Sequence, residues 1–150
     1  MTITVTTPDY ETDLLTILAA AAPSQLITSG ASRNAWIGNE RPSVDSGIPQ
    51  QSSFFGYIAT AYDQDNDGPI RIVTVSVLVR GGKNGDSATK TKARAIHDAG
   101  SSYGFNNPQF TGASGTRYFN LRAVGLHDVG PNPSSDAYYM SIDFEMSHAG

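Results

Sequence analysis

An α+β fold, a mainly antiparallel sheet of about five strands with two helices packed on one face, is predicted by three features of the sequence. Leu14, Ile17, Leu18 and Ala21 recur at helical spacing near the N-terminus. Val73, Val75, Val77 and Val79 fall on alternate positions, which is the period of a strand. Tyr138, Met140, Ile142, Phe144 and Met146 alternate in the same way with Tyr139, Ser141, Asp143, Glu145 and Ser147.

The elements follow in order. Met1 to Thr7 alternates Thr with Ile3 and Val5, which suits an extended arm or short strand. Thr7, Pro8 and Asp9 carry helix-start chemistry, because Pro is tolerated in the first turn and a Thr or Asp oxygen accepts from its free N–H groups. The first helix then runs from Tyr10 to about Ala22, its apolar stripe opposite Glu11 and Asp13, and ends at Pro23. Ala35 to Gly38 reads as a short strand, and Ser53 to Tyr62, with Phe54, Phe55, Tyr57 and Tyr62, as a second. Ile70 to Arg80 is the clearest strand. Its valine row should be core, while Ile72, Thr74, Ser76 and Leu78 form a half-apolar face suited to contact with another protein.

A second helix starts at Asp86 or Ser87, turns Ala88, Ala95, Ile96 and Ala99 to one side, and stops at Gly100. Tyr118 to Leu126 and Tyr138 to His148 complete the strands, with a turn from Gly130 to Asp136 between them. One domain over residues 1–150 is expected, with long loops at about 39–52 and 101–117, the second ordered only by a partner.

Composition excludes several function classes. There is no Cys, so disulfide frameworks, thiolate metal sites and thiol nucleophiles are ruled out, and a reducing compartment is expected. A net charge of −4 with 16% charged residues is neither a basic nucleic-acid binder nor an acidic tail. The apolar run Leu14 to Ala22 has no basic segment before it and stops far short of the ~20 residues that span a membrane, so a soluble protein is expected.

The local motifs that could carry chemistry are incomplete. Asp63, Asp65, Asp67 and Gly68 match the first half of a calcium loop, in which alternate oxygens wrap the ion. The twelfth position is Thr74 rather than a bidentate Glu, and turn chemistry explains the same residues. Ser87 and Lys90 form Ser-x-x-Lys without its companion motifs, and capping accounts for the serine. The glycines from Gly81 to Gly85 lack the spacing and ending of a phosphate loop. His97, His127 and His148 share no metal-ligand spacing, and Arg71, Arg80, Arg117 and Arg122 are scattered. No catalytic set is assembled, no cofactor is implied, and the expectation is a protein that is not an enzyme.

The order of segments carries more information than any motif. The helix from Asp9 to Ala22, Trp36-Ile37-Gly38 followed by Pro42, the strand ending Val79-Arg80-Gly81, the helix from Ser87 to Ala99, and the late strands Leu121-Arg122-Ala123-Val124 and Met140 to Met146 together resemble the tail terminator (minor capsid, tail completion) proteins of long-tailed bacteriophages. The resemblance spans nearly the whole chain. It implies a fold similar to that of tail-tube proteins and a homohexameric ring that caps the tube, stops its polymerisation and meets the head-completion or neck protein. Genomic DNA would pass through the lumen without being read. The protein would be assembled in the host cytoplasm and reside in the virion at the head-proximal end of the tail. Ile72, Thr74, Ser76 and Leu78 would then contact neighbouring subunits, and the Asp63 to Asp67 turn would face the channel. Another neck or tube component of the same fold, or a small calcium-binding module, are the alternative readings.

Overall fold

A computed structural model of the chain describes residues 8–38, 50–57, 70–81, 86–131 and 137–149, the stretch 50–57 through its backbone alone. The elements are α1 (Tyr10–Ala21), β1 (Ala35–Ile37), β2 (Gln50–Tyr57), β3 (Ile70–Gly81), α2 (Asp86–Asn106), β4 (Phe110–Thr111), β5 (Arg117–Pro131) and β6 (Tyr138–Ala149). They form the α+β architecture expected. The sheet has six strands in the order β1-β2-β3-β6-β5-β4, antiparallel at every pairing except β1 with β2.

Register explains where the core lies. Val73, Val75, Val77 and Val79 stand opposite Met146, Phe144, Ile142 and Met140, so the two alternating strands place their apolar rows on one face. All eight side chains are buried. Leu14, Leu18, Ala93 and Ile96 join them in one cluster, so both helices cover that face. Burial of each large member contributes about 1.5–3 kcal/mol.

Helix α1 begins as its sequence predicts. The Asp9 carboxylate accepts from the Thr12 backbone N–H at 3.2 Å and from the Thr12 hydroxyl at 2.9 Å. After Pro23, Asn34 holds the return to β1: its Oδ1 accepts from Ile27 N–H at 2.8 Å and its Nδ2 donates to the Gln25 carbonyl at 3.1 Å.

Five expectations are corrected. Helix α2 does not stop at Gly100 but continues to Asn106. A Cβ on Gly100 would lie 2.3 Å from the Phe144 ring, and one on Gly104 only 1.8 Å from the Leu121 carbonyl oxygen. Both glycines therefore let the helix lie against the sheet rather than ending it. The expected loop at 101–117 is consequently ordered within the chain, as the last helical turns, β4 and a turn over Gly112 to Thr116. Asp13, expected on the solvent side of α1, is fully buried, because that turn supplies hydrogen bonds to its carboxylate. Strand β2 is displaced toward the N-terminus of its expected range, taking Gln50 and Gln51 from the predicted connection, and β5 runs on to Pro131. The remainder of the first connection and the Asp63, Asp65, Asp67 turn lie outside the described residues.

Candidate functional site: the open face of the sheet

The face of the sheet turned away from the helices carries the expected contact residues Ile72, Thr74, Ser76 and Leu78. They lie opposite Ser147, Glu145, Asp143 and Ser141 of β6. Ile72, Ser76 and Leu78 are half-buried and Thr74 is buried. The sequence placed these four on one face, and the register keeps them there.

Around them is a polar arrangement that sequence reading missed. The Ser76 hydroxyl donates to Asp143 Oδ1 at 2.6 Å, and His127 Nε2 lies 3.1 Å from Asp143 Oδ2. Three adjacent strands are thus linked through one carboxylate. A Cβ on Gly125 would sit 2.5 Å from His127 Nε2, so this glycine leaves the room the imidazole occupies. One step along β6, Arg122 Nη2 lies 3.2 Å from Glu145 Oε1. The serine, carboxylate and imidazole do not form a nucleophile: the carboxylate stands between the other two, so no base touches the Ser76 hydroxyl. The geometry joins strands, and pairs Arg122 with Glu145, on a surface that also holds Ile72 and Leu78.

The opposite side holds a second unanticipated network. Asp13 Oδ1 accepts from Ser114 N–H at 2.7 Å, and Oδ2 accepts from the Ser114 hydroxyl at 2.6 Å and from the Tyr118 hydroxyl at 2.5 Å. A Cβ on Gly112 would fall 2.4 Å from Asp13 Cγ, so the turn can close over the carboxylate only with glycine there. Burial first, and then the Asp13 carboxylate, push the Tyr118 hydroxyl far above its ordinary value of 10.0, so it stays a donor. Next to it, His148 Nδ1 lies 2.6 Å from the Ala149 carbonyl, which can only accept. Its Nε2 is therefore the acceptor for the Tyr10 hydroxyl at 2.7 Å when the ring is neutral.

The remaining sequence candidates separate in space. Lys90, the lysine of Ser-x-x-Lys, lies 3.7 Å from Asp128 Oδ2 and 5.5 Å over the Tyr138 ring. The Tyr138 hydroxyl and then the charge around it raise its pKa, the opposite of what a lysine base for Ser87 requires. His97 pairs with its neighbour Asp98 at 2.9 Å, so the three histidines occupy three different settings. Arg117 donates to Gln109 Oε1 at 2.7 Å and Arg122 pairs with Glu145, each with its own partner. Among the described residues no three His, Asp or Glu side chains gather as a metal site, and no helix is long and apolar enough to cross a membrane. Lys92, buried, donates to the Gln25 carbonyl in the segment after α1, and desolvation lowers its pKa.

Comparison with known proteins adds one relationship. No protein-family model matches the chain, and no curated protein does. Among solved structures, a chain of the virion of a native gene transfer agent particle superposes with a TM-score of 0.56 at 18% identity. The match covers 95% of this chain and 100% of that one. The two chains share a fold. Because coverage is nearly complete on both sides, the likeness extends over the whole architecture rather than one motif.

Proposed function

We propose that this chain is a structural protein of a phage-like virion, that it forms a ring capping the tail tube, and that it ends tube polymerisation and joins the tail to the head-neck connector. The observation that carries this reading is the end-to-end likeness in fold to a virion chain of a gene transfer agent particle. The order of segments in the sequence, which resembles tail terminator proteins, supplies the position within the particle. The half-apolar open face around Ile72 and Leu78, its polar side chains hydrogen-bonded across the strands, fits contact with other subunits better than catalysis.

On this reading the ring is hexameric, its neighbours are the tail-tube protein below and a head-completion or neck protein above, and genomic DNA passes through without sequence-specific contacts. The protein resides in the virion, at the head-proximal end of the tail, after assembly in the host cytoplasm. It acts without turnover of a substrate. A second reading, another neck or tail-tube component, rests on the same likeness in fold, which belongs to a particle and not to one position in it.

Co-expression with the cognate tail-tube protein, followed by electron microscopy, separates the two. Rings of this chain at one end of each tube are expected. Its incorporation along the tube would favour the second reading, and tubes free of it would count against both.

A further inference from the structure

Strand β5 has 15 residues where its partner β6 has 12, and the excess is taken up at three register shifts, between Tyr118 and Asn120, Ala123 and Gly125, and Asp128 and Gly130. The extra residues are Phe119, Val124 and Val129, evenly spaced along the strand. Each is a large apolar residue left 38%, 47% and 57% exposed in turn. Phe105, 87% exposed, follows Gly104, whose backbone rests on the Leu121 carbonyl between the first two bulges. Four of the five exposed large hydrophobics among the described residues thus lie along one margin of the fold.

That margin is the outer edge of the sheet. Strand β4 pairs only with Tyr118 and Arg117, so beyond Tyr118 no described strand lies alongside β5 on the side away from β6. Bulges turn an edge away from further strand pairing and re-aim side chains. Gly130, with φ of 87°, takes the left-handed conformation that the third bulge needs. A partner would therefore meet β5 through these side chains, not by adding a strand.

We propose that Phe105, Phe119, Val124 and Val129 form the surface through which one copy of this chain packs against the next in an assembled ring, an inference that rests on the ring reading above. Charge argues for a partner of the same kind. Beside the row Arg122 pairs with Glu145 and Asp128 with Lys90, which leaves Arg117, bonded to the neutral Gln109, as the one charge of β5 unmatched among the described residues, so the margin offers little to a polyanion or a strongly charged protein. Area argues for a ring rather than a free-standing pair. The row spans roughly 30 Å along the strand, and a margin about 10 Å wide gives on the order of 300 Å². That is well below the ~800 Å² per partner of a stable two-body interface. A contact this small holds when each copy is gripped on two sides in a closed ring and docked on a tube.

The exposure of these residues makes the test direct. Val124 is replaced by a photo-crosslinking benzoylphenylalanine in rings assembled on tubes, and the adduct is identified by mass spectrometry. Linkage between two copies of this chain is expected; linkage to the tube or neck protein, or no adduct, would overturn the inference. Alongside it, Val124→Asp and Val129→Asp should fold with an unchanged circular dichroism spectrum and melting temperature, yet give ring yields lower by about tenfold or more. If wild-type protein forms rings and the two aspartate variants do so equally well, the β5 margin is not the contact while the ring reading stands. If wild-type protein forms no ring, both fall.

Discussion

The Tyr118 hydroxyl donates to Asp13 Oδ2 at 2.5 Å, and neither side chain is exposed to solvent. This bond ties helix α1 to the start of β5, and with Ser114 it satisfies a carboxylate that would otherwise be a buried, uncompensated charge. Removing either partner should cost more than a surface change would. Asp13→Ala, which strands the Tyr118 hydroxyl and two Ser114 donors, is expected to destabilise by about 2–4 kcal/mol, and Tyr118→Phe by about 1–3 kcal/mol. Urea unfolding of the three proteins checks the order, and a loss under ~0.5 kcal/mol for Asp13→Ala would contradict it.

The same pair sets an alkaline limit. The folded-state pKa of Tyr118 is raised above its unfolded value of 10.0, so the stability it contributes is full below pH 10 and is lost as pH climbs beyond it, where the unfolded chain ionises first. Melting temperature should fall above pH 10 in the wild type, and less steeply in Tyr118→Phe. Parallel slopes for the two proteins would place the alkaline sensitivity elsewhere.

Gly104 is a helical position where alanine should do harm. In an exposed helix interior, Gly to Ala gains about 1 kcal/mol. Here the added Cβ would meet a backbone oxygen at 1.8 Å, which cannot rotate away, so Gly104→Ala is expected to destabilise by about 2 kcal/mol or more. Thermal unfolding decides the sign.

The acidic segment with Asp63, Asp65 and Asp67 is expected to leave calcium unbound at structural affinity, because the twelfth position of the motif is Thr74, which β3 holds in register opposite Glu145. Millimolar calcium should not move the melting temperature, since stabilisation by a ligand grows only as the logarithm of its concentration over Kd. A rise of several degrees would revive the calcium-module reading.

The parts of this fold legible in sequence are those in which one strand or helix carries its own pattern. The valine row of β3 and the alternation of β6 read directly, and their mutual register follows from placing both apolar faces inward. What escaped reading depends on partners distant in the chain. Gly100 looks like a helix stop until Phe144 is known to press on it. Asp13 looks like a solvated carboxylate until Ser114 and Tyr118 arrive from about a hundred residues away, although its place one turn before Ile17 is a signal that it shares the core-facing side. The Asp143 link to Ser76 and His127 and the three bulges of β5 are equally invisible locally, because register between β5 and β6 is fixed only when the sheet forms. The open-face residues Ile72, Thr74, Ser76 and Leu78 were legible since they needed only the period of their own strand.

Termination is the central claim, and tube length tests it most directly. Tail-tube protein is polymerised with increasing amounts of this chain, and the lengths of the tubes are measured by electron microscopy. If the chain caps tubes, mean length should fall as its ratio to tube protein rises, with one ring at the end of each shortened tube. An unchanged length distribution across the titration, with the chain left unbound in solution, would contradict the account.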